Sequence, residues 1–176
     1  MDRRADETRA QVGVPGLDDI LAGGLTPRHV YLLEGNPGTG KTTIALKFLL
    51  EGADKGEQGL YITLSESEVE LRDGAASHGW TIDGKIEVFE LVPPESRLDP
   101  DMQQSLLYSS DLELGETTKM IFDAIARVRP KRIVLDSLSE IRLLAQNSLR
   151  YPADSCAQAF LCSRWRDRAA AGRPDI

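Results

Sequence analysis

The chain has little of what would staple or anchor it. Only two cysteines occur in 176 residues, Cys156 and Cys162. They lie near the end, without metal-ligand or redox spacing, so no disulfide framework is implied. No apolar run approaches the length of a membrane span. The N-terminus, from Met1 to Ala10, lacks an apolar core and reads as neither signal peptide nor anchor, but as a disordered tail over residues 1–11. Positive charge is also in deficit: 21 Lys+Arg face 28 Asp+Glu, a formal net charge of −7. That balance argues against a nucleic-acid-binding module. No internal repeat or low-complexity tract is present. These absences leave a cytoplasmic protein of one domain, long enough to bury a sizeable core.

What is present is a phosphate-cradling motif in a suitable setting. Gly35-Asn36-Pro37-Gly38-Thr39-Gly40-Lys41-Thr42 fits GxxxxGK[ST]. The apolar run Val30-Tyr31-Leu32-Leu33 before it reads as a buried strand, and Thr43 to Leu50 after it as a helix. Glycines at 35, 38 and 40 let the backbone wrap with its N–H groups turned inward, and the new helix adds its positive end. Lys41 is expected on the β- and γ-phosphates of ATP. The Thr42 hydroxyl is expected on Mg²⁺, which takes hard oxygen ligands and keeps several waters.

Elsewhere strands alternate with helices. Val14 to Leu25 reads as a short helix with Leu17, Ile20 and Leu21 on one face, ended by Gly23-Gly24. Gly59 to Leu64 and Ile86 to Leu91 read as strands, with a helix from Glu68 to His78 between them. Met120, Ile121, Ala124, Ile125 and Val128 form an apolar stripe on a longer helix that Pro130 stops, and Arg132 to Asp136 is the next strand. Pro93 to Gln104 reads as a surface loop. The order predicts an α/β fold with a mostly parallel sheet and helices on both faces, its ligand beyond the carboxyl ends of the strands.

Two acidic positions complete the candidate site. Asp136 ends an apolar strand, as expected of the carboxylate that supports Mg²⁺ through bound water. It also suits a plain helix cap. Glu66 lies at the end of the first strand after the phosphate-loop helix, where a carboxylate could orient or deprotonate an attacking water. Its bland reading is an acidic helix N-terminus, with Ser67 and Glu70 forming a capping box. His78 and Trp80 read as the end of a helix and its packing rather than as ligand contacts.

With these elements in order, the chain from Val12 to Tyr151 resembles a single RecA-type P-loop ATPase domain of the KaiC-like family, named for the cyanobacterial circadian clock ATPase. The carriers are Gly13-Val-Pro-Gly-Leu-Asp-Asp-Ile-Leu with Gly23-Gly24-Leu25, the phosphate loop, Ser77-His-Gly-Trp80, and Leu135-Asp-Ser-Leu-Ser-Glu-Ile-Arg-Leu-Leu144. The resemblance implies ATP and Mg²⁺ as cofactors, slow hydrolysis, and a homo-oligomer, commonly a hexameric ring with nucleotide at subunit interfaces. It implies phosphate and metal contacts for Lys41 and Thr42, metal support from Asp136, and a place near the nucleotide base for Ser77. Where the clock protein has paired glutamates, this chain has Ser65-Glu66, and a serine hydroxyl cannot replace a carboxylate base at neutral pH.

After Tyr151 the resemblance stops. Residues 152–176 gather both cysteines and a cluster of arginines, with no strand-like apolar run. Allowed codons for this stretch, read one base later, encode a helix and an apolar strand in the style of the family, so an out-of-frame tail on a truncated domain is the expectation. Losing that strand would leave a gap in the sheet between the strands of the phosphate loop and Asp136. The functional expectation is a Mg²⁺-dependent ATPase domain in a regulatory or signalling role with a signalling-protein partner. A non-catalytic nucleotide-sensing module and a recombinase-like DNA-dependent ATPase are the alternatives.

Overall fold

The computed structural model describes residues 9–91, 110–138 and 156–162, with side chains for 9–91 and 115–138. The elements are α1 (Pro15–Ile20), β1 (Val30–Gly35), α2 (Lys41–Asp54), β2 (Gly59–Thr63), α3 (Glu68–Ser77), β3 (Ile86–Glu90), α4 (Ser110–Val128), β4 (Arg132–Asp136) and β5 (Cys156–Cys162). They build one sheet in the order β1-β5-β4-β2-β3. β2 pairs in parallel with both β3 and β4, while β5 runs antiparallel to β4 and β1. Four of the five described strands therefore run in one direction, as expected of a mostly parallel sheet, and β5 alone is reversed. The Pro93 to Gln104 loop lies outside the described residues.

Alternation along the strands sends successive side chains to opposite layers. Leu60, Ile62 and Ile133 pack with Ala124, Met120, Ile121, Ile125 and Val128 of α4, the stripe expected from the 3.6-residue period. On the other face Tyr61 and Val134 join Ala45, Leu46, Phe48 and Leu49 of α2 and Leu71 and Ala75 of α3. α3 begins with the expected capping box, Ser67 accepting from the Glu70 N–H and Glu70 from the Ser67 N–H. It ends with the Trp80 and Gly79 N–H groups donating to Ala75 and Ala76 carbonyls, so Trp80 packs against the core and closes the helix.

Four expectations change. Contrary to a tail without a strand, Cys156–Cys162 forms β5 and occupies the place between β1 and β4 where a gap was expected. The facing edges of β1 and β4 need backbone partners, and any extended segment satisfies them whatever its apolar content. Next, β1 is not a buried strand: among the described residues it pairs only with β5, and Val30 and Leu32 are 69% and 55% exposed, while Tyr31 and Leu33 pack against the core beneath α2. Ile20 does not share the face of Leu17 and Leu21; it is 83% exposed. A six-residue helix presents one narrow face, and here the buried Asp18 carboxylate turns inward to accept the Val12 and Gly13 N–H groups. Finally Ala10, placed by sequence in the N-terminal tail, is buried and exchanges both backbone hydrogen bonds with Leu25.

One further contact ties these parts together. Arg132, at the start of β4, is 2% exposed. It donates to Glu57 (2.6 Å) and to the carbonyls of Gln11 (2.6 Å) and Phe48 (2.7 Å), with its guanidinium over the Phe48 ring. A side chain at Gly52 would collide with it, since a Cβ there would lie 2.5 Å from Arg132 Cδ.

Candidate functional site

The loop between β1 and α2 turns at two glycines. Gly38 and Gly40 take positive φ of 79° and 85°, and a Cβ at either would meet nothing within 4 Å. At Gly35 the space is closed instead: a Cβ would stand 2.7 Å from Thr39 Oγ1, which itself donates to the Asn36 carbonyl at 2.8 Å. Pro37 is exposed at the crest of the turn. Lys41 opens α2 and is nearly buried, its Nζ donating to the Gly35 and Asn36 carbonyls, both at 2.9 Å. The ammonium is thus held across the loop. Thr42 and Thr43 follow in the first turn of α2, whose N–H groups have no acceptor within the helix.

The fold brings Asp136 to this loop from 94 residues away. The Thr42 hydroxyl donates to Asp136 Oδ2 at 3.3 Å. A second hydroxyl, unforeseen from sequence, reaches the same oxygen: Tyr61 donates to Asp136 Oδ2 at 2.5 Å. Tyr61 is fully buried, and burial together with the Asp136 charge pushes its ionisation far above the ordinary range, so it stays a donor. The signal available in sequence was a polar-tipped ring between the apolar Leu60 and Ile62. Its partner emerges only from the register, which sets Tyr61 beside Val134 and Thr63 beside Asp136.

Glu66 stands where the sequence placed it, just past β2. Its backbone is locked from both sides, the N–H donating to Thr63 Oγ1 at 3.0 Å and the carbonyl accepting from that hydroxyl at 2.7 Å. Partial burial holds its carboxyl pKa above the usual carboxylate range, with the charges of Asp136 and Glu70 adding to the shift. Ser77 closes α3, about 15 Å along the axis from the end beside Glu66, and its hydroxyl donates to the Gly74 carbonyl at 2.7 Å.

Asp136 is 5% exposed, and among the described residues it makes no ion pair. Two hydroxyls are its side-chain partners, and a second carboxyl near it already feels its charge. Buried negative charge of this kind calls for a cation. The oxygen donors of Thr42 and Asp136 suit a hard divalent ion such as Mg²⁺. Among the described residues no group of three or more His, Cys, Asp or Glu gathers into a metal site, so most other ligands of such an ion would be water and phosphate.

The sequence model of the KaiC ATPase family matches residues 10–160. The chain belongs to the KaiC-like family of RecA-type ATPases. It is 34% identical over 137 residues to the UPF0273 protein PH0284 of Pyrococcus horikoshii, covering 76% of this chain and 56% of that one. It is 35% identical over 138 residues to the UPF0273 protein PF1931 of Pyrococcus furiosus, with the same coverage. The crystal structure of the KaiC-like protein PH0186 from Pyrococcus horikoshii OT3 superposes with a TM-score of 0.55 at 29% identity, over 77% of this chain and 56% of that one. The chain thus spans a little over half the length of the relatives it matches. Membership in a KaiC-like family makes this a nucleotide-binding, ATPase-type domain. Among the described residues no helix is long and apolar enough to cross a membrane.

Proposed function

We propose that the chain binds ATP with Mg²⁺ at the β1–α2 loop, and that the complete protein hydrolyses it by in-line attack of water on the γ-phosphate. The observation that carries this reading is the convergence of a loop-held ammonium, the Thr42 hydroxyl and the buried Asp136 carboxylate at one helix N-terminus. Lys41 exchanges its two carbonyl acceptors for phosphate oxygens, which bind an ammonium more strongly. Loop N–H groups and the α2 dipole receive the remaining phosphate charge. A hydroxyl can donate to a carboxylate and still offer its lone pairs to a cation, so the Thr42 to Asp136 contact is compatible with metal ligation by Thr42. Bound Mg²⁺ would supply charge neutralisation on the β- and γ-phosphate oxygens. Glu66 orients the attacking water and accepts its proton, a task that its raised pKa favours over an ordinary carboxylate.

The setting of that activity belongs to the same proposal: a cytoplasmic homo-oligomer, hexameric by analogy with the family, with a regulatory or signalling role. Binding of a fluorescent ATP analogue, with and without Mg²⁺, tests the core of it. Wild type is expected to bind and to tighten with Mg²⁺, Lys41→Ala to lose most affinity, and Asp136→Asn to lose the Mg²⁺-dependent part. Equal binding by wild type and Lys41→Ala would sink the proposal. The presence of Ser65 beside Glu66 favours a second reading, a nucleotide sensor without turnover. It wins if Glu66→Gln leaves the rate of phosphate release unchanged.

A further inference from the structure

Asp136 ends β4 and Tyr61 lies two residues before the end of β2. Parallel pairing sets Thr63 directly beside Asp136, so Tyr61 is its diagonal neighbour on the face covered by α2. The ring is part of the main core cluster with Leu46, Phe48, Leu49 and Val134, and none of it is exposed. A rigid ring gripped by that packing fixes its hydroxyl in space. That hydroxyl meets Asp136 Oδ2 at 2.5 Å, the same oxygen that the Thr42 hydroxyl reaches at 3.3 Å. A carboxylate at a strand end turns easily about its last torsion, a broad one. Here two hydroxyls on one oxygen stop it.

We propose that Tyr61 is a positioning residue that keeps the Asp136 carboxylate turned toward Thr42, so that a Mg²⁺–nucleotide meets an acceptor already oriented. This rests on the reading that the β1–α2 loop takes such a ligand. Tyr61 contacts neither phosphate nor metal; it acts through Asp136, as outer-shell donors do at other metal sites, where their removal costs about ten- to a hundredfold in metal affinity. Phenylalanine would fill the same core space and omit the donor.

The test titrates Mg²⁺ against a fluorescent, non-hydrolysable ATP analogue bound to wild type, Tyr61→Phe, Asp136→Asn and the double variant, with Val134→Ala as a control for packing beside the tyrosine. Tyr61→Phe is expected to raise the Mg²⁺ concentration at half-maximal tightening by about ten- to a hundredfold. Its affinity measured in EDTA and its far-ultraviolet circular dichroism should match wild type. In the Asp136→Asn background the tyrosine change should add nothing, since the two act as one unit. An unchanged Mg²⁺ midpoint in Tyr61→Phe overturns the inference, and so does an equal shift in Val134→Ala or in the Asp136→Asn background. Wild-type binding that ignores Mg²⁺ would instead remove the reading beneath it, and the inference with it.

Discussion

The two ends of β4 carry opposite buried charges on the same face of the sheet, and the protein treats them differently. Arg132, 2% exposed, has an anionic partner in Glu57, two backbone carbonyls and an aromatic face. Asp136, 5% exposed, has two hydroxyls and makes no ion pair among the described residues. A guanidinium surrounded in this way is finished by the fold, and it stitches the N-terminal segment, α2 and β4 together. A carboxylate left with neutral donors is not finished, because its charge still lacks a counterion. The comparison separates a charge paired within the fold from one left with neutral donors among the described residues, four residues apart on one strand.

Exchanging the roles should break this contrast most visibly. Arg132→Leu strands the Glu57 carboxylate and unties Gln11, and is expected to cost about 3 kcal/mol or more in urea unfolding. Asp136→Asn should leave the unliganded protein within about 1 kcal/mol of wild type while abolishing its stabilisation by Mg²⁺–nucleotide. If both variants lose equal stability, Asp136 is structural and the contrast fails. A smaller effect is expected at Gly52, where alanine would press a methyl into the Arg132 side chain and cost about 1 to 3 kcal/mol. A melting temperature indistinguishable from wild type would show that the guanidinium has room to move.

The finest test is pH dependence at the Asp136 end. Because the folded-state pKa of Glu66 lies above its unfolded value, the folded protein holds that proton more tightly. Glu66 therefore costs stability as pH rises through the interval between the two values. Glu66→Gln should match wild type below the ordinary carboxylate range, gain on it as pH rises, and stay ahead at neutral pH. Unfolding measured from acid to neutral pH checks this, and a constant offset would show that the carboxyl feels neither its burial nor Asp136. Glu70 behaves in the opposite sense: the Ser67 backbone and hydroxyl hold its pKa down. Its contribution is present at neutral pH and lost as acid protonates it through its lowered folded value.

Much of the site was legible because its signals are local. The spacing of Gly35, Gly38, Gly40, Lys41 and Thr42 encodes a turn and the start of a helix, and Ser67 with Glu70 encodes a cap; both depend on neighbours within a few residues. The α4 stripe from Met120 to Val128 was likewise a matter of period. Tyr61 and Arg132 were illegible for the opposite reason. Tyr61 reaches Asp136 across 75 positions and Arg132 reaches Gln11 across 121, and each contact exists only once strands are in register or the amino-terminal segment has docked.

By itself, then, the sequence determined the glycine loop between β1 and α2, the elements around it and the strand that ends in Asp136, since turn chemistry and periodicity act over a few residues. Tertiary structure alone decided that Cys156–Cys162 would lie between β1 and β4, because an open backbone edge selects for extension rather than for composition. It also decided which oxygen the Thr42 and Tyr61 hydroxyls would share, because that depends on the parallel register of β2 against β4 and on the packing of α2 over both.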